Sequence, residues 1–179
     1  MRESRVARRY ARALFNSALH AQVIEAVDEA LQQLLITLQE QPPLGQILLN
    51  PLMPRERKGQ IVQQTLGRDT HPLVASLLNL LVDKRREALL ADVVREFERL
   101  RDEHLGIVRA QATVAYPLDS EQEQALRHSL ERRTGKTVVL DVATDPSLIG
   151  GVVVRIGDTV IDGSIRGQLL RLKQYLLNA

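Results

Sequence analysis

The fold is decided where the sequence changes its periodicity, in the stretch HLGIVRAQATV at residues 104–114. Before Gly106, apolar residues recur every three or four positions, as they do on one side of an amphipathic helix. From residue 108 to 114 they alternate with polar residues, and this period of two is typical of a half-buried strand. The sequence therefore predicts a helical N-terminal part and a C-terminal part that contains a sheet.

Six helices are predicted before this change, several of them separated by proline or glycine. Ser4 is expected to cap the first helix, and Gly67 is expected to end the fourth. Leucine and valine cover most of the circumference of the fifth helix, which predicts a central place in a bundle or a partner on its outer side. The six predicted helices span residues 5–22, 23–39, 44–49, 54–66, 72–84 and 86–104.

Four short strands and two helices are predicted after Gly106. A capping-box pattern that starts at Ser120 opens one helix and Gly135 ends it, while Ser164 caps the last helix. Gly157-Asp158 is typical of a two-residue hairpin turn between the last two strands. The strands are predicted at residues 108–114, 137–142, 151–156 and 159–161. The last helix carries one apolar seam, formed by Ile165, Leu169, Leu172 and Leu176.

The predicted fold class is α+β. It consists of an N-terminal six-helix bundle at residues 1–105, followed by a small C-terminal α/β unit at residues 106–179 with about four short strands and two helices. The apolar fraction of 44% is sufficient for a packed core.

Composition excludes several classes of function. The chain has no cysteine, so it has no disulfides, thiolate metal sites or cysteine nucleophiles. Aromatic residues make up 3% of the chain, too few for base stacking as the main activity. No apolar run approaches the roughly 18–20 residues that span a bilayer. We therefore expect no nucleic-acid partner and no direct insertion into a membrane.

The motifs that suggest chemistry each have a structural interpretation. Gly135-Lys136-Thr137 resembles the end of a phosphate-binding loop, but Leu130 stands where the motif needs a glycine, and a helix precedes it instead of a strand. Gly150-Gly151 is interpreted as a turn that lets a strand pass close to another segment. The four histidines lack the spacing of a metal site. No catalytic, cofactor-binding or metal-binding residue is predicted.

Four stretches of the sequence stand out as longer motifs. They are ARRYARALF at residues 7–15, LNP at 49–51 with Lys58 downstream, LLVDKRR at 80–86 followed by Leu89 and Leu90, and DPSLIGGVVVRIGD at 145–158, continued by VIDGSIRGQL at 160–169. Together they resemble the family of ATP synthase delta subunits and mitochondrial oligomycin-sensitivity-conferring proteins. The resemblance covers essentially the whole chain, and the last stretch is its most specific part.

The resemblance implies a non-catalytic stator subunit of the peripheral stalk of F-type ATP synthase, needed for coupling proton flow to ATP synthesis. It implies that the N-terminal bundle binds the N-terminal helix of the alpha subunit, and that the C-terminal part binds the C-terminal end of the b subunit. No cofactor is implied. The implied location is peripheral, on the cytoplasmic face of the bacterial inner membrane.

The N-terminal arginines allow other interpretations. Arg5, Arg9 and Arg12 lie beside the apolar stripe of the first helix, where they can meet nucleic acid, anionic lipid, solvent or a protein. We favour solvent or a protein, because the face is small and lacks aromatic companions. An Arg-rich, acid-poor N-terminus is also typical of a mitochondrial transit peptide. Because the segment matches a family motif and the sequence starts at Met1, we expect the mature bacterial form.

The alpha-binding groove is predicted from the first and fifth helices. The fifth helix has more apolar surface than one packing face requires, which suits helix-in-groove recognition. The groove residues are predicted to be Tyr10, Leu14, Leu78 and Val82, although core packing alone also accounts for them. Two other functions remain alternatives: an unrelated regulatory or scaffold protein that binds an amphipathic helix, and a nucleotide-handling enzyme that uses Gly135-Lys136-Thr137.

Overall fold

The computed structural model describes residues 2–50, 52–66 and 70–177, with the backbone alone for residues 2–4 and 62–66. The chain divides into two compact units, the first ending at Arg101 and the second beginning at Asp102. The first is helical, and the second contains a four-stranded sheet with two helices of its own. The predicted α+β class is therefore confirmed. The binding role assigned to each part stays a prediction.

The helices of the first unit begin and end close to the predicted positions. They are α1 (Arg2–His20), α2 (Ile24–Glu40), α3 (Pro42–Leu49), α4 (Arg55–Leu66), α5 (Pro72–Asp83) and α6 (Leu90–His104), with a 3-10 turn at Glu87–Leu89 before α6. The predicted cap at Ser4 is wrong, because α1 already includes that residue. α3 begins at Pro42 because proline suits the first turn of a helix. Gly67, the predicted end of α4, lies outside the described residues.

A single apolar core holds the first unit together. Phe15 of α1 and Phe97 of α6 meet edge to face, with ring centroids 5.8 Å apart. α5 is buried along most of its length, as its all-round apolar sequence predicts. Its buried residues are Val74, Leu77, Leu78, Leu81 and Val82.

The second unit is built on a mixed sheet with the strand order β2-β1-β3-β4. The strands are β1 (Ile107–Val114), β2 (Thr137–Thr144), β3 (Val152–Ile156) and β4 (Thr159–Asp162). β1 is parallel to β2 and antiparallel to β3, and β3 forms an antiparallel hairpin with β4. A parallel pair needs a long crossover, and α7 (Ser120–Thr134) supplies it. α8 (Ile165–Leu177) follows β4.

The core of the second unit lies between α7 and one face of the sheet. Leu126 and Leu130 of α7 pack against alternate residues of the strands, among them Ala110, Val138 and Val154. The opposite sheet face carries polar and charged residues such as Arg109. The period of two in the sequence is therefore the alternation between these faces.

The ends of α7 test two sequence predictions. The capping box is formed by Asp119, not by Ser120: the Gln122 backbone N–H donates to Asp119 Oδ1 at 2.8 Å, and the Asp119 N–H donates to Gln122 Oε1 at 3.2 Å. Both residue types can cap, and the box forms one residue earlier than predicted. Gly135 ends the helix in the left-handed conformation, and β2 starts two residues later. The interpretation of Gly135-Lys136-Thr137 as a helix end followed by a strand is confirmed.

Candidate partner-binding surfaces

α8 is exposed along most of its length. Gly167 is the buried residue of this helix, every residue of which the structure describes. A Cβ added at Gly167 would lie 2.7 Å from Asp162 Cγ, so the helix backbone sits directly against the Asp162 side chain. The helix approaches this closely because the position has no side chain.

The apolar seam of α8 lies on the opposite side. Successive residues of a helix are about 100° apart, so Gly167 is about 200° from Ile165. The side of α8 that carries Gly167 therefore points away from the four seam residues. Their exposed fractions are 44% for Ile165, 54% for Leu169, 54% for Leu172 and 67% for Leu176. The predicted seam exists, but it is not used in the unit's own core. We call these four residues the α8 seam.

Polar and aromatic residues border the α8 seam. Arg166 and Lys173 lie on one flank, and Gln168 and exposed Tyr175 lie on the other. The 4-3-4 spacing of the seam is that of the a and d positions in a heptad, where a second helix packs. The flank with Arg166 and Lys173 is basic.

Hydrogen bonds at the start of α8 fix its direction. Asp162 Oδ1 accepts from the Ser164 backbone N–H at 2.9 Å and from its hydroxyl at 2.7 Å. The Ser164 hydroxyl oxygen in turn accepts from the Gly167 N–H at 3.0 Å, which confirms Ser164 as the predicted cap. The Ser164 hydroxyl, followed by its N–H and the nearby Arg171, holds the pKa of Asp162 below its usual value.

The preceding glycine pair brings β3 against the start of α8. Gly151 has a φ of +79°, and a Cβ there would lie 3.0 Å from Ser164 Cα. The Gly163 N–H donates to the Val152 carbonyl and the Ile165 N–H donates to the Gly150 carbonyl, both at 2.9 Å. The interpretation of Gly150-Gly151 as a close-approach turn is confirmed. The motif at residues 145–169 therefore builds the junction that presents the α8 seam.

The four predicted groove residues belong to one region of the first unit. Leu14, Leu78 and Val82 are buried in the core, and Tyr10 packs at its edge. The Arg86 Nη1 donates to the Tyr10 hydroxyl at 3.0 Å, and the guanidinium carbon lies 5.9 Å from the centre of the tyrosine ring. The structure thus brings the four together, with only Tyr10 near the surface.

The sequence prediction omitted Leu80, the exposed leucine of α5. It lies on the outer side of α5, opposite the buried stripe, with 42% of its surface exposed. The sequence contained the signal that identifies Leu80. It is an apolar residue outside the main apolar stripe of a helix that is apolar on all sides. A partner on α5 would meet Leu80 before it met Leu78 or Val82.

The described ranges contain no cluster typical of a metal site. No three histidine, aspartate or glutamate side chains converge there as metal ligands would. None of the helices described is both long and apolar enough to cross a bilayer. The fold defines a two-unit protein whose second unit carries a helix with an exposed apolar seam.

Comparison with known proteins identifies the family. Residues 6–176 match the family described as ATP synthase delta (OSCP) subunit. The ATP synthase subunit delta of Salinibacter ruber is 42% identical over 179 residues, which cover 100% of this chain and 94% of the relative. That of Anaeromyxobacter sp. strain K is 44% identical over 174 residues, which cover 96% of each. The chain belongs to the ATP synthase delta (OSCP) subunit family, a family of peripheral-stalk subunits, as the sequence motifs predicted.

A solved structure shows the same fold. A chain in the cryo-EM structure of the Toxoplasma gondii mitochondrial ATP synthase hexamer superposes with a TM-score of 0.72 at 24% identity. The match covers 96% of this chain and 97% of that one.

Proposed function

We propose that this protein is the stator subunit that joins the alpha subunit of the catalytic head to the b subunit of the stalk in an F-type ATP synthase. It is a mechanical connector without catalytic activity, and it lies on the cytoplasmic face of the bacterial inner membrane as a peripheral part of the complex. The observation that carries this proposal is the exposed α8 seam on a unit with its own closed core.

The α8 seam is the proposed site for the C-terminal helix of the b subunit. A seam of four aliphatic residues in water is unfavourable, and a second helix packed on it would remove that surface from solvent. Apolar spacing of this kind selects a helical partner. Arg166 and Lys173 would pair with acidic residues at one edge of that helix. A stalk that ends in a helix fits this requirement.

The groove between α1 and α5 is the proposed site for the N-terminal helix of the alpha subunit. In the structure without a partner, Tyr10 and Leu80 are accessible, whereas Leu14, Leu78 and Val82 are buried. The partner helix would therefore dock on Tyr10 and Leu80 first. Contact with the three buried residues requires α1 and α5 to separate locally.

A pair of adjacent leucines tests the proposed site for the b subunit. Leu169 lies in the α8 seam and Leu170 lies outside it, with exposed fractions of 54% and 52%. Burying a carboxylate in the interface costs several kcal/mol, and each 1.4 kcal/mol weakens binding about tenfold. Leu169→Asp should weaken binding of a peptide from the C-terminal end of b at least about a hundredfold, whereas Leu170→Asp should change it less than about threefold.

Calorimetry with the full chain measures both affinities, and far-UV circular dichroism checks folding. Equal losses in the two variants would refute the seam as the binding face. Binding that is unchanged in both would refute the proposed role of α8.

The proposed site for the alpha subunit needs a variant outside the core. Val82→Asp would unfold the bundle, because that side chain is buried. Leu80→Asp changes the outer side of the same helix, and Ile36→Asp on α2 is its control, with exposed fractions of 42% and 44%. Leu80→Asp should weaken binding of a peptide from the N-terminal end of alpha at least about tenfold, while Ile36→Asp should leave it unchanged. Unchanged binding in folded Leu80→Asp would contradict the groove.

The connector role is tested in membranes. The protein should be recovered in stoichiometric amounts with the alpha, beta and b subunits from detergent-solubilised membranes. Its deletion should leave ATP hydrolysis by the head active but impair proton pumping, because the stator would slip. Hydrolysis that stays fully coupled after deletion would refute the role.

The absence of catalysis is tested with nucleotide. We expect no tight one-to-one site for Mg-ATP, because Gly135-Lys136-Thr137 joins a helix to a strand instead of forming a strand-to-helix phosphate loop. Calorimetric titration of the full chain measures this. A specific site that disappears in Lys136→Ala would favour the nucleotide-handling alternative.

A further inference from the structure

A cavity of about 160 Å³ lies in the first unit between the start of α4 and the turn after α5. Its charged lining consists of three basic residues, Arg55, Lys58 and Arg85, and one acidic residue, Glu87. Three cationic side chains against one carboxylate leave the lining with net positive charge. The cavity is of a size to hold a small anion, and the connector role does not use it.

Lys58 lines this cavity and is itself buried. Its Nζ donates to Glu87 Oε1 at 2.7 Å, and both side chains are at least nine-tenths buried. An ammonium group has three N–H donors, and the bond to Glu87 is the one that Lys58 Nζ makes among the described residues. Buried donors are normally satisfied. Two donors of Lys58 therefore remain available, and the residue lines the cavity.

Arg85 occupies a position that suits glycine. Its φ is +53°, and it ends α5 in a motif where the Arg86 N–H donates to the Leu81 carbonyl at 2.8 Å and the Arg85 N–H to the Val82 carbonyl at 3.1 Å. Glycine is the usual residue at this left-handed position. An arginine there is explained when its side chain is used. No carboxylate in the described residues pairs with it, and it lines the cavity.

Arg55 and the helix end add to the positive potential. Arg55 Nη1 donates to the Asp83 carbonyl at 3.1 Å, which anchors the guanidinium beside the cavity and leaves other N–H donors available. Arg55 and Lys58 belong to the first turn of α4, where unpaired backbone N–H groups carry partial positive charge. Two guanidinium groups and an ammonium group together match a tetrahedral oxyanion.

We propose that this cavity is a phosphate site, occupied by free inorganic phosphate held between Arg55, Lys58 and Arg85. Glu87 holds the Lys58 ammonium group in place, and its single negative charge is outweighed by the three cations. The bound anion would tie the end of α5 to the start of α4. The site is independent of the proposed connector role, since no other subunit is needed to form it.

Calorimetric titration of the full chain with sodium phosphate tests this site. Titration with sodium chloride at matched ionic strength is the reference. One phosphate per chain should bind. The variant Arg85→Gly should weaken binding at least about tenfold, while Arg57→Ala, an exposed arginine of α4 outside the cavity, should change it less than about twofold. Because glycine suits the left-handed position, Arg85→Gly should unfold at the same or a higher temperature without phosphate. Arg85→Asn is the second variant, since asparagine also tolerates this conformation.

The outcomes are distinct. Equal binding of phosphate and chloride would mean an adventitious ion only and would overturn the site. Phosphate binding that is unchanged in folded Arg85→Gly and Arg85→Asn would also overturn it. ADP should compete more weakly than phosphate if free phosphate is the ligand. If ADP instead binds more tightly and this binding also depends on Arg85, the source is the terminal phosphate of a nucleotide, and free phosphate is overturned.

Discussion

α5 and α8 carry similar amounts of leucine, yet the two helices are in opposite environments. α5 buries Val74, Leu77, Leu78, Leu81 and Val82 in the core of the first unit. α8 buries Gly167 and leaves its leucines in solvent. In the first unit the apolar residues of the helix stabilise the core, whereas in the second unit they remain exposed. The deciding feature is which side of the helix meets its own unit.

The largest contrast is expected from matched truncations of a leucine. Leu78→Ala in α5 should lower the free energy of unfolding of the first unit by about 2–5 kcal/mol, because it leaves a cavity in a packed core. Leu172→Ala in α8 should change stability by no more than about 0.5 kcal/mol, because its side chain is already exposed. Urea denaturation of the full chain measures both. A comparable loss in the two variants would mean that α8 is packed in solution.

The second largest effect on stability is expected at the junction between β3 and the start of α8. Gly151→Ala should destabilise the second unit by about 2–4 kcal/mol, since the methyl group adds left-handed strain to a clash with the start of α8. Gly157→Ala is the control: its φ is +56°, but nothing lies within 4 Å of the added Cβ. It should cost about 1–2 kcal/mol. Equal losses on thermal unfolding would show that the close approach at Gly151 is not tight.

Acid should loosen the same junction. Hydrogen bonds lower the pKa of Asp162, chiefly from the Ser164 hydroxyl, and that of Asp145, chiefly from the Ser147 N–H. A lowered folded-state pKa contributes stability that is present above the unfolded-state pKa and is lost as the pH falls through the folded-state pKa. The second unit should therefore lose stability below about pH 4.

Unfolding midpoints between pH 7 and pH 3 measure this effect. Asp162→Asn should be less stable than the parent chain at pH 7, and the difference should shrink as the pH falls. Asp141→Asn, an exposed carboxylate of β2, controls for the loss of one negative charge. A difference between Asp162→Asn and the parent that is constant with pH would contradict the role of the carboxylate.

Removing the second unit is expected to have the smallest effect of these changes on the folding of the first unit. A chain ending at Glu103 should fold as a helical bundle, because the core of the first unit draws all its residues from positions before Arg101. Its far-UV spectrum should be helical and its melting cooperative. Loss of structure would show that the bundle core depends on the second unit.

Local sequence patterns predicted the elements well, and their errors are local too. The change of period at Gly106 predicted β1, and the glycine at 135 predicted the end of α7, because period and left-handed caps depend on near neighbours. Asp119 was missed as a cap because Ser120 beside it is equally suitable. Ser4 was wrongly chosen because the helix simply continues past it.

The candidate sites depend on distant neighbours and were less predictable. The sequence identified the α8 seam as apolar but not as exposed. It placed Leu14, Leu78 and Val82 in one region, but it could not show that they are buried while Leu80 is not. The ion pair between Lys58 and Glu87 joins residues 29 positions apart, and no local sequence pattern predicts it.

The sequence by itself determined the order and type of the elements, the family and the composition of each apolar stripe, because these follow from residue spacing and from motifs along the chain. Only the tertiary structure decided which stripes are buried, which helix presents its leucines and where three cations meet. The physical reason is that burial and electrostatic environment come from contacts between segments far apart in the chain. A helix with a leucine seam has the same sequence pattern whether the seam faces a core or water.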